Sequence, residues 1–496
     1  METIPEACNA VLTLKPRPVF KAFARISSIP RGSGNEEAIS DFLMAFAQNL
    51  KLEAHRDKAL NVIIKKKGTQ GYENAPTVIL QGHMDMVCEK EAQSPHDFTK
   101  DPIRLMVKDE MLTADGTTLG ADNGIALAYA MALLESDTLP HPPLEVLITT
   151  EEEVGLVGAS QLDTTPLSGK ILINLDAEEE GRFFVSCCGG TRCTLSLPVK
   201  QIPLDRLESA PELRAFNLNI SGLKGGHSGM DIHLGRANAN VLMGRILAEV
   251  FELGAELATL SGGGKVNAIP RQAQALLLIP NAQEKAVQDR LTALENTFRE
   301  EFSATDPKLA ITLTPEKNPP ETLISRNSFR KLIDLYRLTP SGVQAMSQRI
   351  DNLVETSLNL GVVEEDKAMV HFQLSVRSSV ESMGREVCQR LAVIGRCLGG
   401  SFTEGASYPA WEYRADSPIR DLMVKTYWEL HKEEPKICAI HAGLECGILG
   451  NALADMDMIA MGPDMVHVHS PEEAVSIPSV RRTWELLCRV LENIRD

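Results

Sequence analysis

Residues 77–87, TVILQGHMDMV, constrain the fold of this chain more than any other stretch. They predict a buried strand, with His83 and Asp85 where the apolar run stops. Because residues two apart on a strand point to the same face, the imidazole and the carboxylate emerge together. Many proteins orient a metal-binding histidine with such a carboxylate. By itself a His-x-Asp sequence is more often a surface pair, so this interpretation needs support from other segments.

The composition indicates a globular protein with at least two domains. The 496 residues exceed the size of one ordinary core, and 43% of them are hydrophobic and 24% charged. A formal net charge of −17 argues against nucleic-acid binding, which usually needs a basic face. The N-terminus has no basic segment followed by an apolar core, and no run of about 18 apolar residues occurs, so we predict neither a signal peptide nor a membrane span.

The cysteines favour a reducing compartment. The chain has 10 of them, irregularly spaced and without a CxxC motif. Reduced thiols in a cytoplasmic protein fit this pattern better than a disulfide framework does.

Two further predicted strands end in carboxylates. Residues 144–150, LEVLITT, run into the glutamates at 151–153, and residues 170–175, KILINL, end in Asp176. A run of acidic residues is usually a solvated surface. The alternative is that a cation offsets the repulsion and that one carboxylate acts as a base. Open α/β sheets bind ligands outside the carboxyl ends of their strands, where these groups are predicted to lie.

Asp122 precedes a predicted buried helix that starts near Asn123. Aspartate is a favoured N-cap residue, so a structural role is one interpretation. Gly120 and Gly124 also allow close backbone approach around the carboxylate, which favours a ligand role. These residues alone leave both interpretations open.

The pattern changes after residue 187 and changes back near residue 401. Between these positions strand-like segments alternate with long helices, as in an inserted α+β domain. We therefore predict that residues 1–186 and 401–496 form one α/β domain and that residues 187–400 form the insertion. The C-terminal part would bring His469 to the sheet edge that carries Asp176.

Five groups at this predicted edge suit a metal site. The candidate ligands are His83, Asp122, Glu153, Asp176 and His469. Their nitrogen and oxygen atoms suit zinc, cobalt or manganese. Five ligands are too many for one catalytic zinc with three protein ligands, but they suit two divalent ions if Asp122 bridges them. Three carboxylates and one hydroxide then balance the two cations.

The residues beside these ligands predict a hydrolytic mechanism. Two metal ions about 3.5–4 Å apart lower the pKa of a bridging water and polarise a carbonyl. Glu152 would act as the general base that takes the proton of this water and passes it to the leaving amine. Asp85 would accept a hydrogen bond from the far nitrogen of His83 and fix its tautomer.

Six motifs are spread over nearly the whole chain. They are GHMDMV (82–87), GADNG (120–124), TTEEEVGLVGA (149–159), NLDAEEEG (174–181), SGLKGGHSG (221–229) and HSPEE (469–473). Together they resemble the dinuclear zinc peptidases, the family that includes glutamate carboxypeptidase, aminoacylase, peptidase T and carnosinase. The resemblance implies a three-layer α/β/α metallopeptidase domain with a mixed sheet, interrupted by an α+β lid domain. It also implies a homodimer formed through the lid.

The family pattern places the catalytic glutamate directly before the metal-binding one. Here it selects Glu152 as the base and Glu153 as the ligand. Glu151 lengthens the acidic run, so a shift by one position stays open.

The resemblance also implies substrate contacts from the inserted domain. His227 matches a histidine that stabilises the oxyanion, in some members in the partner subunit's site. Asn267 and Arg377 match residues that hold the substrate carboxylate, which the guanidinium fork suits. Gly443 would offer its backbone to the substrate. Without the resemblance, His227 would be interpreted as a loop residue and Arg377 as a surface strand residue.

Within the family, the length of the chain, the large lid and the segment HAGLECG (441–447) resemble those of members that cleave dipeptides with a C-terminal histidine. This closer resemblance implies the same activity here, including hydrolysis of β-alanyl-histidine. A related N-acyl amino acid amidohydrolase or a tripeptidase is the alternative among enzymes. Outside enzymes, the alternative is an inactive metal-binding module, but an intact general base beside complete ligands argues against it.

Overall fold

The computed structural model of the protein describes residues 4–204, 212–366 and 368–495. Contacts between Cα atoms divide the chain into two compact units. Unit 1 comprises Met1–Ser186, Trp411–Ala439 and Leu444–Asp496, and unit 2 comprises Cys187–Ala410 and Ile440–Gly443. Each helix of the described residues is too short or too polar to cross a membrane.

Helices and strands are numbered in chain order. The α-helices are α1 (Arg17–Ile26), α2 (Glu37–Asn49), α3 (Ala121–Glu135), α4 (Val157–Ser160), α5 (Ala239–Glu252), α6 (Glu284–Glu301), α7 (Arg326–Leu338), α8 (Glu381–Leu398), α9 (Pro418–His431), α10 (Glu445–Ala452) and α11 (Ile477–Asn493).

The strands up to the middle of unit 2 are β1 (Glu53–Arg56), β2 (Val62–Lys66), β3 (Val78–His83), β4 (Leu105–Lys108), β5 (Met111–Ala114), β6 (Leu144–Thr149), β7 (Ile171–Asn174), β8 (Arg182–Cys187), β9 (Gly189–Pro198), β10 (Gln201–Pro203), β11 (Leu213–Ser221), β12 (Gly226–His227) and β13 (Glu256–Gly262). The later strands are β14 (Ala268–Ile269), β15 (Ala273–Pro280), β16 (Ala310–Pro315), β17 (Thr322–Ile324), β18 (Gly342–Met346), β19 (Val354–Asp366), β20 (Met369–Ser378), β21 (Ser401–Tyr408), β22 (Lys436–Ile440), β23 (Asp457–Ala460), β24 (Met465–Val466) and β25 (Ala474–Ser476).

An eight-stranded mixed sheet forms the framework of unit 1, in the order β1-β2-β6-β3-β7-β23-β8-β22. Strands β6, β3, β7 and β23 are parallel, and β2 and β8 flank them in the antiparallel direction. Every residue of β3 and β6 is buried. Parallel strands covered on both faces have such continuous apolar sequences. The apolar stretches at 77–87, 144–150 and 170–175 therefore correctly predicted β3, β6 and β7.

The parallel strands bring their carboxyl ends to one edge of the sheet. His83 ends β3 and is paired in register with Thr149, which ends β6. Asn174 ends β7 and lies opposite Gln81 of β3. Asp176 follows two residues after β7. A second sheet of unit 1, in the order β24-β25-β5-β4, carries His469 in the connection between β24 and β25.

Helix α3 is buried along nearly its whole length, as its small apolar residues predict. Its last carbonyl groups have no partners within the helix and need donors from elsewhere. The ammonium group of Lys66, at the end of β2, donates to the carbonyl oxygens of Leu133 and Leu134 at 2.9 and 3.1 Å and to that of Ser136. One lysine thus closes the C-terminal end of the helix that begins at the predicted metal site.

Replacing Lys66 with methionine should lower the free energy of unfolding by about 1–2 kcal/mol, because three partly buried carbonyls lose a charged donor and the helix dipole loses a cation. Denaturant unfolding measures the change. The control Lys67→Met, at the exposed neighbouring position, should stay within about 0.5 kcal/mol of the wild type. Equal losses in the two variants would contradict the capping role.

A nine-stranded antiparallel sheet forms the framework of unit 2, in the order β16-β11-β15-β13-β19-β20-β9-β21, with β18 also paired to β19. Helices α5, α6, α7 and α8 share its hydrophobic core. This core includes Leu242, Phe251, Phe298, Phe329, Phe372 and Leu391.

The end of unit 2 differs from the predicted boundary at residue 400. Strand β21 pairs with β9, so the unit extends to Ala410, and Ile440–Gly443 also belong to it. The sequence pattern of a short strand does not say which sheet the strand joins, because pairing is a contact between distant residues. The assignment of residues 401–410 to the first domain is therefore corrected.

Candidate active site

The predicted metal ligands all lie in unit 1, around the carboxyl edge of its parallel strands. Their side chains form three groups in which one ligand atom from each residue lies within 4.8 Å of the others. The groups are His83, Glu152 and Glu153; His83, Asp122 and Asp176; and Asp122, Glu153 and His469. The structure therefore brings together, through overlapping groups, residues that are far apart in the sequence.

The Asp122 carboxylate lies between the two histidines. Its Oδ1 atom is 3.1 Å from Nε2 of His83, and its Oδ2 atom is 3.1 Å from Nε2 of His469. On the His83 side, Asp176 Oδ1 is 3.5 Å from the same Nε2 atom. On the other side, Glu153 Oε1 is 2.9 Å from Nε2 of His469. The site thus has two halves, each with one histidine and one further carboxylate, that share Asp122.

The electrostatics of these groups favour a cation. Burial raises the pKa of Asp176 to about 6. Hydrogen bonds with Asp122 and Glu153 raise the pKa of His469 to about 11. Burial alone would lower the pKa of His83, but the charge of Asp176 and hydrogen bonds with carboxylates raise it well above its usual value. The carboxylates therefore draw positive charge into the site, and nitrogen and oxygen donors at these distances fit a divalent ion.

Asp85 is hydrogen-bonded both to the imidazole of His83 and to the backbone of Glu152 and Glu153. Its fully buried carboxylate has Oδ1 3.2 Å from Nδ1 of His83. The same carboxylate accepts the amide N–H groups of Glu152 at 3.0 Å and Glu153 at 3.2 Å, and the hydroxyl of Ser33 at 2.8 Å. One carboxylate thus orients the imidazole and holds the backbone that follows β6.

The three successive glutamates, Glu151, Glu152 and Glu153, have different surroundings in the structure. Glu152 and Glu153 belong to the candidate metal-binding groups, and within the described residues Glu151 joins none of them. The Glu151 amide instead donates to Oε1 of Glu36 at 3.2 Å. Burial raises the pKa of Glu152 well above its usual value, which suits a group that takes up a proton. The geometry therefore favours Glu152 as the base and Glu153 as the ligand over an assignment moved one position toward Glu151.

Asp122 does not cap helix α3, so the structural interpretation of this residue is wrong. Its two carboxylate oxygens contact the histidines and not backbone amides of the helix, and the chain is kinked at Asp122 and Asn123, whose torsion angles are not helical. The amide groups at the start of the helix donate to the Glu473 carboxylate instead. These donors are Leu119 at 2.8 Å, Gly120 at 3.0 Å, Ala121 at 2.8 Å and Asp122 at 3.3 Å. Glu473 therefore satisfies the helix terminus and leaves the Asp122 carboxylate to the histidines.

Two residues that hold this loop were not predicted from the sequence. Glu473 belongs to the HSPEE motif, in which we assigned a role to His469 alone. Arg31, only 2% exposed, donates to the carbonyl oxygens of Met84 at 3.0 Å and Asp85 at 3.1 Å, and to that of Gly120. No pattern around Arg31 predicts burial, because its partners are carbonyl groups of distant segments.

Arg31 also explains the glycines of the GADNG motif. A Cβ atom at Gly120 would lie 2.5 Å from Nη2 of Arg31, and one at Gly124 would lie 2.6 Å from it. The glycines do allow a close approach, as predicted, but the group that approaches them is the guanidinium of Arg31. A side chain at either position would displace the arginine that ties the Asp122 loop to the end of β3.

A buried polar network is hydrogen-bonded to the backbone of Asp176. Glu445 is 0% exposed and accepts from the Thr149 hydroxyl at 2.7 Å and from the Gln81 amide. Gln81 in turn accepts from the Asn174 amide at 2.6 Å, and Asn174 accepts the Asp176 backbone N–H at 3.3 Å. Burial raises the pKa of Glu445 to about 7. The network links the ends of β6, β3 and β7 across the sheet.

The predicted substrate-binding residues lie in unit 2. Nδ1 of His227 accepts the amide N–H groups of Gly229 at 3.3 Å and Met230 at 3.0 Å, so Nε2 carries the proton of the neutral ring. Burial and the charge of Arg377 lower the pKa of His227, which favours this neutral form. A guanidinium nitrogen of Arg377 lies 3.4 Å from Nε2 of His227.

Asn267 and Gly443 are close to the same region of unit 2. The carbonyl oxygen of Asn267 accepts the Ser228 amide at 2.9 Å, next to His227. A Cβ atom at Gly443 would lie 2.7 Å from Cε2 of Tyr408. Tyr408, which the sequence analysis did not single out, accepts a 2.6 Å hydrogen bond from Arg377.

A comparison with known proteins identifies the family. The sequence pattern of peptidase family M20/M25/M40 matches residues 79–493. The chain belongs to this family. It is 40% identical over 488 residues to the cytosol non-specific dipeptidase of Escherichia coli (strain K12), covering 97% of this chain and 98% of that protein.

Two solved structures agree with the fold. The crystal structure of aminoacylhistidine dipeptidase from Vibrio alginolyticus matches with a TM-score of 0.90 and 35% identity over 98% of each chain. The aminopeptidase PepT from Bacillus cereus ATCC 10987 shares the fold, with a TM-score of 0.56 and 14% identity over 97% of this chain and 100% of that chain. The fold class and the family predicted from the sequence motifs are confirmed.

Replacing Glu473 with glutamine should weaken metal binding by about 10- to 100-fold, because an amide nitrogen cannot accept the N–H groups that hold the Asp122 loop. Competition with a metal indicator measures the affinity. Glu472→Gln, at the exposed preceding position, is the matched control and should bind as the wild type does. Wild-type affinity in Glu473→Gln would contradict a role for this carboxylate in the site.

Proposed function

We propose that the protein is a metal-dependent dipeptidase with two divalent ions. The observation that carries this proposal is the Asp122 carboxylate, whose two oxygens each lie 3.1 Å from Nε2 of a different histidine. A carboxylate with a histidine on each side suits a bridge between two ions. His83 and Asp176 would complete one ion site, and Glu153 and His469 the other.

Zinc is the metal we propose, with cobalt and manganese as alternatives that accept the same donors. When bound, the two ions would polarise the peptide carbonyl and lower the pKa of the attacking water. Three carboxylates around them would keep the net charge of the site small.

Glu152 would act as the general base. Its carboxylate would take the proton of the attacking water and deliver it to the nitrogen of the leaving amine. Asp85 would keep this glutamate in place by accepting hydrogen bonds from the backbone N–H groups of Glu152 at 3.0 Å and Glu153 at 3.2 Å, while holding the imidazole of His83. Burial of Glu152 supports the role, because a carboxylate with a raised pKa gains basicity.

The substrate would be a dipeptide with a C-terminal histidine, including β-alanyl-histidine. The names of the relatives from Escherichia coli and Vibrio alginolyticus support the dipeptide and the histidine, respectively. Arg377 would pair with the free carboxylate, with Asn267 and the Gly443 backbone beside it. The proton on Nε2 of His227 would donate to the carbonyl oxygen as negative charge develops there.

We also propose a cytoplasmic location, which the name of the Escherichia coli relative supports. No disulfide joins cysteines of the described residues, as suits reduced thiols. The homodimer stays a prediction from the family resemblance, and sedimentation at equilibrium tests it.

Replacing Glu152 with glutamine should lower kcat on β-alanyl-histidine by about 10²- to 10⁴-fold, because the site loses its proton acceptor. Metal analysis of the purified variant should give the wild-type content, since the glutamine keeps the shape of the side chain. Glu151→Gln is the matched control and should keep kcat within about twofold. If Glu151→Gln is the inactive variant, the base has been assigned one position too late.

Removal of metal by a chelator should abolish dipeptide hydrolysis, and zinc, cobalt or manganese should restore it with two ions per chain. The reloaded protein should cleave Xaa-His dipeptides faster than N-acetyl-histidine or a tripeptide that ends in histidine. Faster cleavage of N-acetyl-histidine would favour the amidohydrolase, and faster cleavage of the tripeptide would favour the tripeptidase. Full activity with one ion per chain would contradict the dinuclear centre.

A further inference from the structure

Tyr408 is a residue of unit 2 that neither the motifs nor the proposed mechanism includes. It ends strand β21, and its hydroxyl oxygen accepts a hydrogen bond from Nη1 of Arg377 at 2.6 Å. Burial raises the pKa of this phenol above its usual value, so the hydroxyl stays neutral and can accept from a guanidinium.

The register of three strands makes this contact. Gly190 of β9 is opposite Arg377 of β20 on one side and opposite Tyr408 of β21 on the other. Residues opposite one another in a sheet project to the same face. Because Gly190 has no side chain, the tyrosine ring can lie across β9 and reach the guanidinium.

Two glycines shape the space for the ring. A Cβ atom at Gly190 would lie 2.6 Å from ring atoms and from the hydroxyl of Tyr408. At Gly443 it would lie 2.7 Å from Cε2 of the same ring. Any larger residue would therefore push the ring from its place. Packing on both sides keeps the hydroxyl beside Arg377.

The other contacts of Arg377 are weaker. Its Nε atom is 3.4 Å from the Ser228 hydroxyl, near the limit of a hydrogen bond. Its Nη2 atom is 3.4 Å from Nε2 of His227, which already carries a proton and cannot accept. The buried Cys188 thiol also contacts this pair, but a thiol is a weak hydrogen-bonding group.

We propose that Tyr408 is a positioning residue for substrate binding: it holds the Arg377 guanidinium in the orientation that pairs with the C-terminal carboxylate of the dipeptide. This inference rests on the proposed function. An arginine oriented before binding loses less rotational freedom when the carboxylate arrives, so the contact contributes to affinity for the carboxylate. A tyrosine that only filled space would contribute equally for substrates with and without this charge.

The test compares Tyr408→Phe with the wild type on an Xaa-His dipeptide and on its C-terminal amide. The variant keeps the ring and removes the hydroxyl. KM for the dipeptide should rise about tenfold, and kcat should stay within about twofold. KM for the amide should change less than about twofold, because the amide has no carboxylate to pair with Arg377. The ratio of the two KM values does not depend on the fraction of folded enzyme.

The matched control is Tyr413→Phe. The hydroxyl of Tyr413 accepts a hydrogen bond from Nη1 of Arg420 at 3.1 Å in unit 1, so this variant removes the same kind of contact away from Arg377. It should leave the KM ratio unchanged. Gly190→Ala, which displaces the ring without removing a polar group, should shift the ratio in the same direction as Tyr408→Phe.

A double variant tests whether Tyr408 acts through Arg377. Once Arg377→Lys has removed the fork, adding Tyr408→Phe should raise KM by less than about twofold. A further tenfold rise of KM in the double variant would overturn the inference. An equal rise of KM for the dipeptide and its amide in Tyr408→Phe would also overturn it. If the wild type cleaves dipeptides and Tyr408→Phe does not alter KM, the inference falls and the proposed function stands. If the wild type cleaves no dipeptide, both fall.

Discussion

The gathering of carboxylates at one edge of a parallel sheet is the constraint on which the rest of unit 1 depends. Asp85, Asp122, Glu152, Glu153 and Asp176 lie close enough to repel one another, and most of them are shielded from water. Histidines offset part of this cost, since His83 and His469 each contact two or more carboxylates. Donors from the backbone offset another part. A bound cation would remove most of the remainder, which is why such an arrangement is favourable in a metalloprotein and costly elsewhere.

Buried polar contacts hold the loop that carries the candidate ligand Asp122. Glu473 accepts four successive amides at the start of α3, and Arg31 joins the same loop to the end of β3. Buried charges are costly without hydrogen bonds; both oxygens of Glu473 accept amides, and both terminal nitrogens of Arg31 donate to carbonyl oxygens, although its Nε has no partner among the described residues. In unit 2 the guanidinium of Arg377 has a similar support in Tyr408. In both units, a charged side chain of the proposed site or the loop that carries it is thus held by further polar groups.

Much of the fold and of the site could be predicted, because the signals are local or additive. Strands β3, β6 and β7 are continuous apolar runs, and polar residues at their ends are visible without a structure. The roles that could not be predicted depend on contacts between distant segments. Asp122 had two interpretations until Glu473, about 350 residues away, proved to accept the helix amides. The end of unit 2 was placed too early because the pairing of β21 with β9 leaves no mark in the sequence of β21.

The sequence by itself determined the kinds of candidate ligand, their order, and the parallel strands at whose ends several of them lie, since strand periodicity and side-chain chemistry are properties of short segments. Only the tertiary structure decided that Asp122 lies between two histidines, that Glu151 is outside the candidate metal-binding groups, and that Arg31 is buried. It also decided that Tyr408 meets Arg377 across Gly190. These are matters of register and of distances through space, which are set when the sheets form and which no single segment encodes.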